Sequence, residues 1–175
     1  IAMGETLLII CKEVDLSVGS VYAIVGIAFI ALEPALGVPL SFITSLIFAA
    51  SIGFINALLV LKGKLSLVIV TLGALFFYRG VIYIWTKGTA PVFSKEAKEH
   101  WFTQALGADW LGIENAVIWS TVVLILFTIL LIRLRFGNHL LAIGGDEASS
   151  RSRGINIFWV KALAFIACSV LAGLA

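Results

Sequence analysis

Residues 40–85 read LSFITSLIFAASIGFINALLVLKGKLSLVIVTLGALFFYRGVIYIW. Two apolar runs, Leu40–Leu61 and Leu65–Trp85, are parted only by Lys62, Gly63 and Lys64. Each matches the roughly 20 residues that a helix needs to cross bilayer hydrocarbon. Working outward, Val18–Leu32 and Ala116–Ile132 approach the same length, while Thr6–Cys11 and Val160–Ala175 read as the end of one partial span and the start of another. Six spans in view predict an all-α fold, a polytopic transmembrane helical bundle forming one domain over residues 1–175. The chain starts at Ile1 without a methionine and stops inside an apolar run. It is therefore expected to be a piece of a longer protein, cut at both ends, in which no signal peptide can be read.

Composition supports this reading. The sequence is 61% hydrophobic and 13% charged, with a mean hydropathy of +1.12, more apolar than a soluble domain of this size can hide. A net charge of +2 gives no reason to expect nucleic acid as a partner, and where the charges sit is more informative than their sum. Lys12, Lys62, Lys64, Arg133, Arg135, Arg151, Arg153 and Lys161 fall on one side of the alternating connections; Lys87, Lys95 and Lys98 fall on the other. Eight cations against three place the first group in the cytoplasm. Tyr83, Trp85, Trp101, Trp110 and Trp119 then gather near the outer face and Trp159 near the inner one, where amphipathic rings favour the headgroup level. Residues 87–115, with Trp101, Phe102, Leu106, Trp110 and Leu111, read either as a segment lying along the outer interface or as a plain loop. Gly19, Gly26, Gly53 and Gly73 predict close helix packing. Cys11 and Cys168, each in apolar sequence near opposite ends, read as packed thiols.

A few polar residues stand out against this background. Asp15 and Ser17 open the span from Val18, either as a helix cap or, with Glu5, Lys12 and Glu13, as a polar cluster facing an aqueous path. Arg79 lies inside an apolar run about six residues from its end, close enough to snorkel or to face the outer mouth of a path. Asn56 and Thr71 are weaker signals of the same kind, better read as hydrogen-bonding glue between helices. The sharpest feature is the loop at 133–159, where Gly144-Gly145-Asp146-Glu147 leads through Arg151 and Arg153 to Gly154. Asp146 suits a helix cap, Glu147 the first turn, the arginines the last, and Gly154 a left-handed exit. So short a helix cannot stand alone in water, so it must dock on its own bundle or on another subunit. His100 and His139 stand alone, no metal or cofactor motif occurs, and neither P-loop nor hydrolase signature is present. Uphill transport would need its ATPase on a separate chain.

Four blocks carry a resemblance. Val14-Asp15-Leu-Ser-Val-Gly-Ser20, Gly53-Phe-Ile-Asn56-Ala-Leu-Leu-Val60, Ile69-Val-Thr71-Leu-Gly73-Ala-Leu-Phe-Phe-Tyr78-Arg79-Gly80, and Arg135-Phe-Gly137 with Ala142-Ile-Gly144-Gly145-Asp-Glu147 and Gly154-Ile-Asn156 resemble, in order, the ribose-type permeases of bacterial ATP-binding-cassette importers. The resemblance implies a multi-pass subunit of the bacterial inner membrane, not itself an enzyme, that moves a sugar or sugar-like solute. It implies a second permease chain, identical or different, two cytoplasmic ATP-binding subunits and a periplasmic solute-binding protein that holds much of the specificity. Gly144, Gly145, Asp146, Glu147, Arg151 and Gly154 would form the segment coupled to the ATPase. Asp15, Ser17, Asn56, Thr71 and Arg79 would line or flank the path. Lys12 and Glu13 stand where the family usually has small residues, which puts a salt bridge beside the path in prospect. Ala57 replaces a frequent glycine, Ser149 and Ser150 replace alanines, and Ser152 and Arg153 make the docking helix more polar. Two other classes compete with an importer permease: a secondary transporter or channel using Glu13, Asp15 or Arg79 as an ion site, and an accessory subunit whose helices only pack.

Overall fold

The computed structural model describes residues 1–107, 109–110 and 113–175. Ten helices run in the order α1 (Ala2–Ile10), α2 (Val18–Leu36), α3 (Val38–Ala57), α4 (Leu67–Thr86), α5 (Lys95–Glu99), α6 (Trp101–Gly107), α7 (Asn115–Arg133), α8 (Arg135–Gly145), α9 (Glu147–Ser152) and α10 (Ile157–Leu174). A wider, π-helical turn, Leu58–Lys62, extends α3. Among the described residues, β1 (Asp109–Trp110) and β2 (Ile113–Glu114) form the only strand pairing, and it is antiparallel. Among the described residues, five helices, α2, α3 with its π turn, α4, α7 and α10, are long and apolar enough to cross a membrane. The chain is a polytopic helical membrane bundle, in which the backbone bonds within each helix satisfy groups that lipid cannot.

Several boundaries depart from the sequence reading. The connection expected between Leu32 and Leu40 shrinks to Gly37, whose φ of +73° turns the chain from α2 directly into α3; a residue without Cβ takes that conformation at little cost. Pro34 lies in the last turn of α2, where it leaves the Ile30 carbonyl without its usual helical donor shortly before the helix ends. Within the 133–159 loop lies an unforeseen helix, α8, which buries Gly137, Leu140 and Ile143 at helical spacing and leaves Arg135 and Leu141 exposed. The last span begins at Ile157, not Val160, because the Asn156 side chain accepts from the Trp159 amide at 3.3 Å and caps it. The expected partial span at the start is the nine-residue α1.

At the centre is α10, packed on α1, α2 and α3. Phe165, Ala162, Ala164, Cys168 and Ala172 on it are fully buried. Of the four glycines expected at helix crossings, Gly53 is the one at a close approach: a Cβ there would stand 2.5 Å from the Phe165 carbonyl oxygen. Gly19, Gly26 and Gly73 have open space beside them among the described residues. Cys11 and Cys168 are buried free thiols. In contrast, α7 buries no side chain. At the end of the bundle where α2 stops and α3 starts, Phe29, Phe42, Phe93 and Phe102 meet edge to face, with centroids 5.2–5.9 Å apart, and hold the segment carrying α5 and α6 across the helix ends. The expectation for Leu111 and for the ring of Trp110 lies outside the described residues.

Candidate functional site: a polar node and a docked helix

The stretch from Cys11 to Ser17 inverts ordinary burial. It is an irregular run of turns, with Lys12 at a φ of +63°, in which alternate side chains are buried and exposed. Cys11, Glu13, Asp15 and Ser17 point inward and are buried, whereas Lys12 and the apolar Val14 and Leu16 point outward, the last two about 40% exposed. A buried polar row requires partners, since an unsatisfied group in a dry interior costs more than a satisfied one returns.

The partners are present. Asp15 Oδ1 accepts from the Ser17 amide at 2.8 Å and the Ser17 hydroxyl at 2.6 Å. Its Oδ2 accepts from Asn56 Nδ2 at 3.3 Å, and that amide also donates to Ser17 Oγ at 3.2 Å. Glu5 on α1 closes the group from behind: its Oε2 accepts the Asp15 amide at 3.4 Å and its Oε1 the Cys168 thiol at 3.5 Å. Asp15 thus caps the turn entering α2 and, through Asn56, pins it to α3 just before the π-helical turn.

Glu13 joins this group to the loop helix. Lys161 of α10, its side chain 9% exposed, places Nζ 2.8 Å from Glu13 Oε1 and 3.1 Å from Glu147 Oε2. Glu147 Oε1 lies 3.6 Å from Arg151, one turn on. The salt bridge expected at Lys12 and Glu13 therefore takes another form. The left-handed backbone at Lys12, with a φ of +63°, separates the two side chains, so Glu13 turns inward to Lys161 and Lys12 turns outward, where Nζ donates to the Gly145 carbonyl at 3.4 Å. Lys161 had counted only as one of the loop cations that set orientation. A lysine within an apolar run, in a chain with acids at other apolar borders, was the signal that could have marked it.

The loop helix itself is as its sequence specifies. Asp146 Oδ1 accepts from the Ala148 amide at 3.0 Å, and Gly154 exits at a φ of +82°. Ser150 is buried and donates to the Asp146 carbonyl at 2.8 Å. Arg151, Ser152 and Arg153 are exposed on the opposite side. Gly144, in the last turn of α8, lies so close to α1 that a Cβ would overlap the Ile10 carbonyl oxygen, whereas Gly145 has open space beside it. With α8 pressed on α1 and Glu147 tied to Lys161, α9 sits firmly on its own bundle and still presents a polar outer face.

Two expected path residues stand apart from the node. Thr71 is buried but spends its hydroxyl on the Leu67 carbonyl of its own helix, at 2.9 Å. The glue between α2 and α4 is Ser20, which donates to the Leu75 carbonyl at 3.1 Å. Arg79, exposed, lies about 12 Å further along α4 at 1.5 Å per residue, in a shallow cleft with Ala23, Ile27, Tyr83 and Thr86. Among the described residues it makes no ion pair, and no three His, Cys, Asp or Glu are placed to hold a metal ion.

With this geometry in place, the chain can be set beside known proteins. A family model described as branched-chain amino acid transport system / permease component matches residues 1–175. The ribose import permease protein of Escherichia coli (strain K12) is 32% identical over 179 residues, an alignment covering 99% of this chain and 54% of that relative. The autoinducer 2 import system permease protein of Escherichia coli O9:H4 (strain HS) is 30% identical over 178 residues, covering 100% and 50%. The chain thus spans about half the length of the curated relatives it matches. No solved structure matches it.

Proposed function

Because this chain belongs to the family of branched-chain amino acid transport system permease components, we propose that it is the membrane-spanning permease part of an ATP-driven importer in the bacterial inner membrane, moving a sugar or sugar-like solute. The observation that carries this reading is α9: six residues, capped by Asp146, anchored inward through Ser150 and Glu147, with Arg151, Ser152 and Arg153 facing outward. A helix that short is useful only on a support, and a supported helix with a free charged face is a handle for another subunit. The partners in this reading are two cytoplasmic ATP-binding subunits, a second permease chain and a periplasmic solute-binding protein. The chain itself carries no cofactor. ATP-driven closure of the partner subunits favours the outward-facing conformation, and hydrolysis restores the inward-facing one, a shift between two populations.

Asp15 bears on the rival reading as a secondary transporter. Both its oxygens already accept hydrogen bonds from Ser17 and Asn56, so the side chain is committed to joining α2 and α3. The geometry favours a hinge there over an ion carrier. The test uses the full-length protein purified with its ATPase and reconstituted in proteoliposomes. Radiolabelled ribose uptake that requires ATP, with ATPase stimulation lost in Arg151→Glu, is the expected outcome. Uptake that persists without ATP and disappears in Asp15→Asn would overturn the proposal in favour of the transporter.

A further inference from the structure

We infer that Lys161 is a positioning residue that links the docked helix α9 to the Cys11–Ser17 turn, so that force applied to α9 reaches the hinge joining α2 and α3. This rests on the importer reading above and goes beyond it by naming the route through the permease.

Three elements remote in sequence meet at one ammonium: Glu13 from the turn after α1, Glu147 from α9, and Lys161 from α10. An ammonium has three donors and no acceptor, so it can hold two carboxylates at once. The two arms differ. Glu13 is 11% exposed and has no alternative cation beside it in the described residues, whereas Glu147 is 46% exposed and shares its other oxygen with Arg151. The Glu13 arm is thus the fixed root and the Glu147 arm the yielding one. Two residues beyond Glu13, Asp15 grips Ser17 at the start of α2 and Asn56 at the end of α3. The route from α9 to both helices therefore passes by hydrogen bonds through Glu147, Lys161 and Glu13, and then along the backbone of Val14 to Asp15. A parallel strut runs from the Gly145 carbonyl to Lys12, and the contact of Gly144 on Ile10 keeps α8 from sliding independently.

Stability alone does not account for the arrangement. A buried ion pair contributes little beyond a well-packed apolar pair of the same volume, because desolvation offsets the attraction. What it supplies is register between elements, with a large penalty for a wrong one. Energetic coupling between sites travels through such contiguous networks when an element can occupy two arrangements.

The experiment uses the full-length protein co-expressed with its ATPase in membrane vesicles, with a reporter cysteine at Tyr22→Cys. Tyr22 is exposed on α2 just past the hinge, and the native Cys11 and Cys168 are buried. The labelling rate by a membrane-impermeant maleimide is compared with and without ATP plus vanadate. With Lys161 intact the rate changes about fivefold or more, the lower bound of ordinary coupling between sites. The paired neutral variant Lys161→Met with Glu13→Gln leaves no stranded charge. It is expected to retain ATPase co-purification but lose the ATP-dependent change, and Lys161→Arg is expected to restore it. A double variant that still responds as the parent does overturns the inference and leaves the importer reading standing. A parent that binds the ATPase but shows no ATP-dependent change also overturns the inference alone. A parent that binds no ATPase overturns both. Should the double variant fail to reach the membrane, Glu147→Gln breaks only the yielding arm and is read by the same labelling: an undiminished response counts against the link, a diminished one for it.

Discussion

The two ends of the bundle are held by different physics. At the end carrying α9, side chains make directional contacts of 2.6–3.4 Å in two adjoining groups, Glu5, Asp15, Ser17 and Asn56 in one and Glu13, Glu147 and Lys161 in the other. At the other end, Phe29, Phe42, Phe93 and Phe102 make edge-to-face contacts, with one polar tie, Ser94 donating to the buried Glu33 at 3.2 Å. Aromatic edges tolerate sliding of a ring by a fraction of its width. Charged hydrogen bonds do not. In the importer reading proposed above, one end would transmit a motion and the other would open and close over a solute, a division that the difference in contact chemistry supports.

The widest separation between the two ends is expected at Lys161. Replacing it with alanine strands Glu13 in the interior, and breaking a buried pair from one side costs about 3–5 kcal/mol. A fall in the thermal unfolding midpoint of the detergent-solubilised full-length protein measures it; a variant as stable as the parent would break the comparison. Asn56→Leu should follow at about 1–3 kcal/mol, because Asp15 Oδ2 loses its donor in a buried site. Double-mutant cycles with Asp15→Asn would show whether the two act as one unit. Phe42→Leu at the aromatic end removes contacts with Phe29 and Phe102, each worth about 0.5–1.5 kcal/mol beyond area. A cycle pairing Phe29 with Phe42 reads that coupling directly. If it exceeded the coupling of Asp15 with Asn56, the assignment of rigid and yielding ends would be reversed.

How much of this could be read beforehand follows from the range of each interaction. The long spans were legible because lipid imposes a local requirement, a run of apolar residues of fixed length. So was α9, whose cap at Asp146 and exit at Gly154 are decided within a few residues. Helix α8 was hidden: it has only Gly137, Leu140 and Ile143 as its buried side, and the glycines at 137, 144 and 145 lower the expectation of helix. Lys161 was hidden for a different reason. Its partners lie 148 and 14 residues away, and no spacing rule connects them. Asp15 and Asn56 were each suspected singly, but their bond spans 41 residues and needed the packing of α2 on α3 to be seen. Thr71 shows a local choice that sequence leaves open, since a threonine on a buried helix side can bond its own helix or a neighbour.

The smallest effect on stability is expected at Arg151, and it sharpens the comparison most. Its side chain is 75% exposed and its guanidinium 3.6 Å from Glu147, and an exposed pair one turn apart contributes about 0–1 kcal/mol. Arg151→Ala should therefore leave the unfolding midpoint almost unchanged, because Glu147 still has Lys161. If α9 is a handle gripped by an ATPase, the same substitution removes a charge from the gripped face and should lower solute-stimulated ATP hydrolysis by the reconstituted complex while the fold stays intact. Lys161→Ala changes both quantities, Phe42→Leu changes stability first, and Arg151→Ala changes coupling alone. An Arg151→Ala protein that loses stability yet keeps full stimulation would mean that α9 serves its own bundle only, and the contrast between a transmitting end and a yielding end would lose its basis.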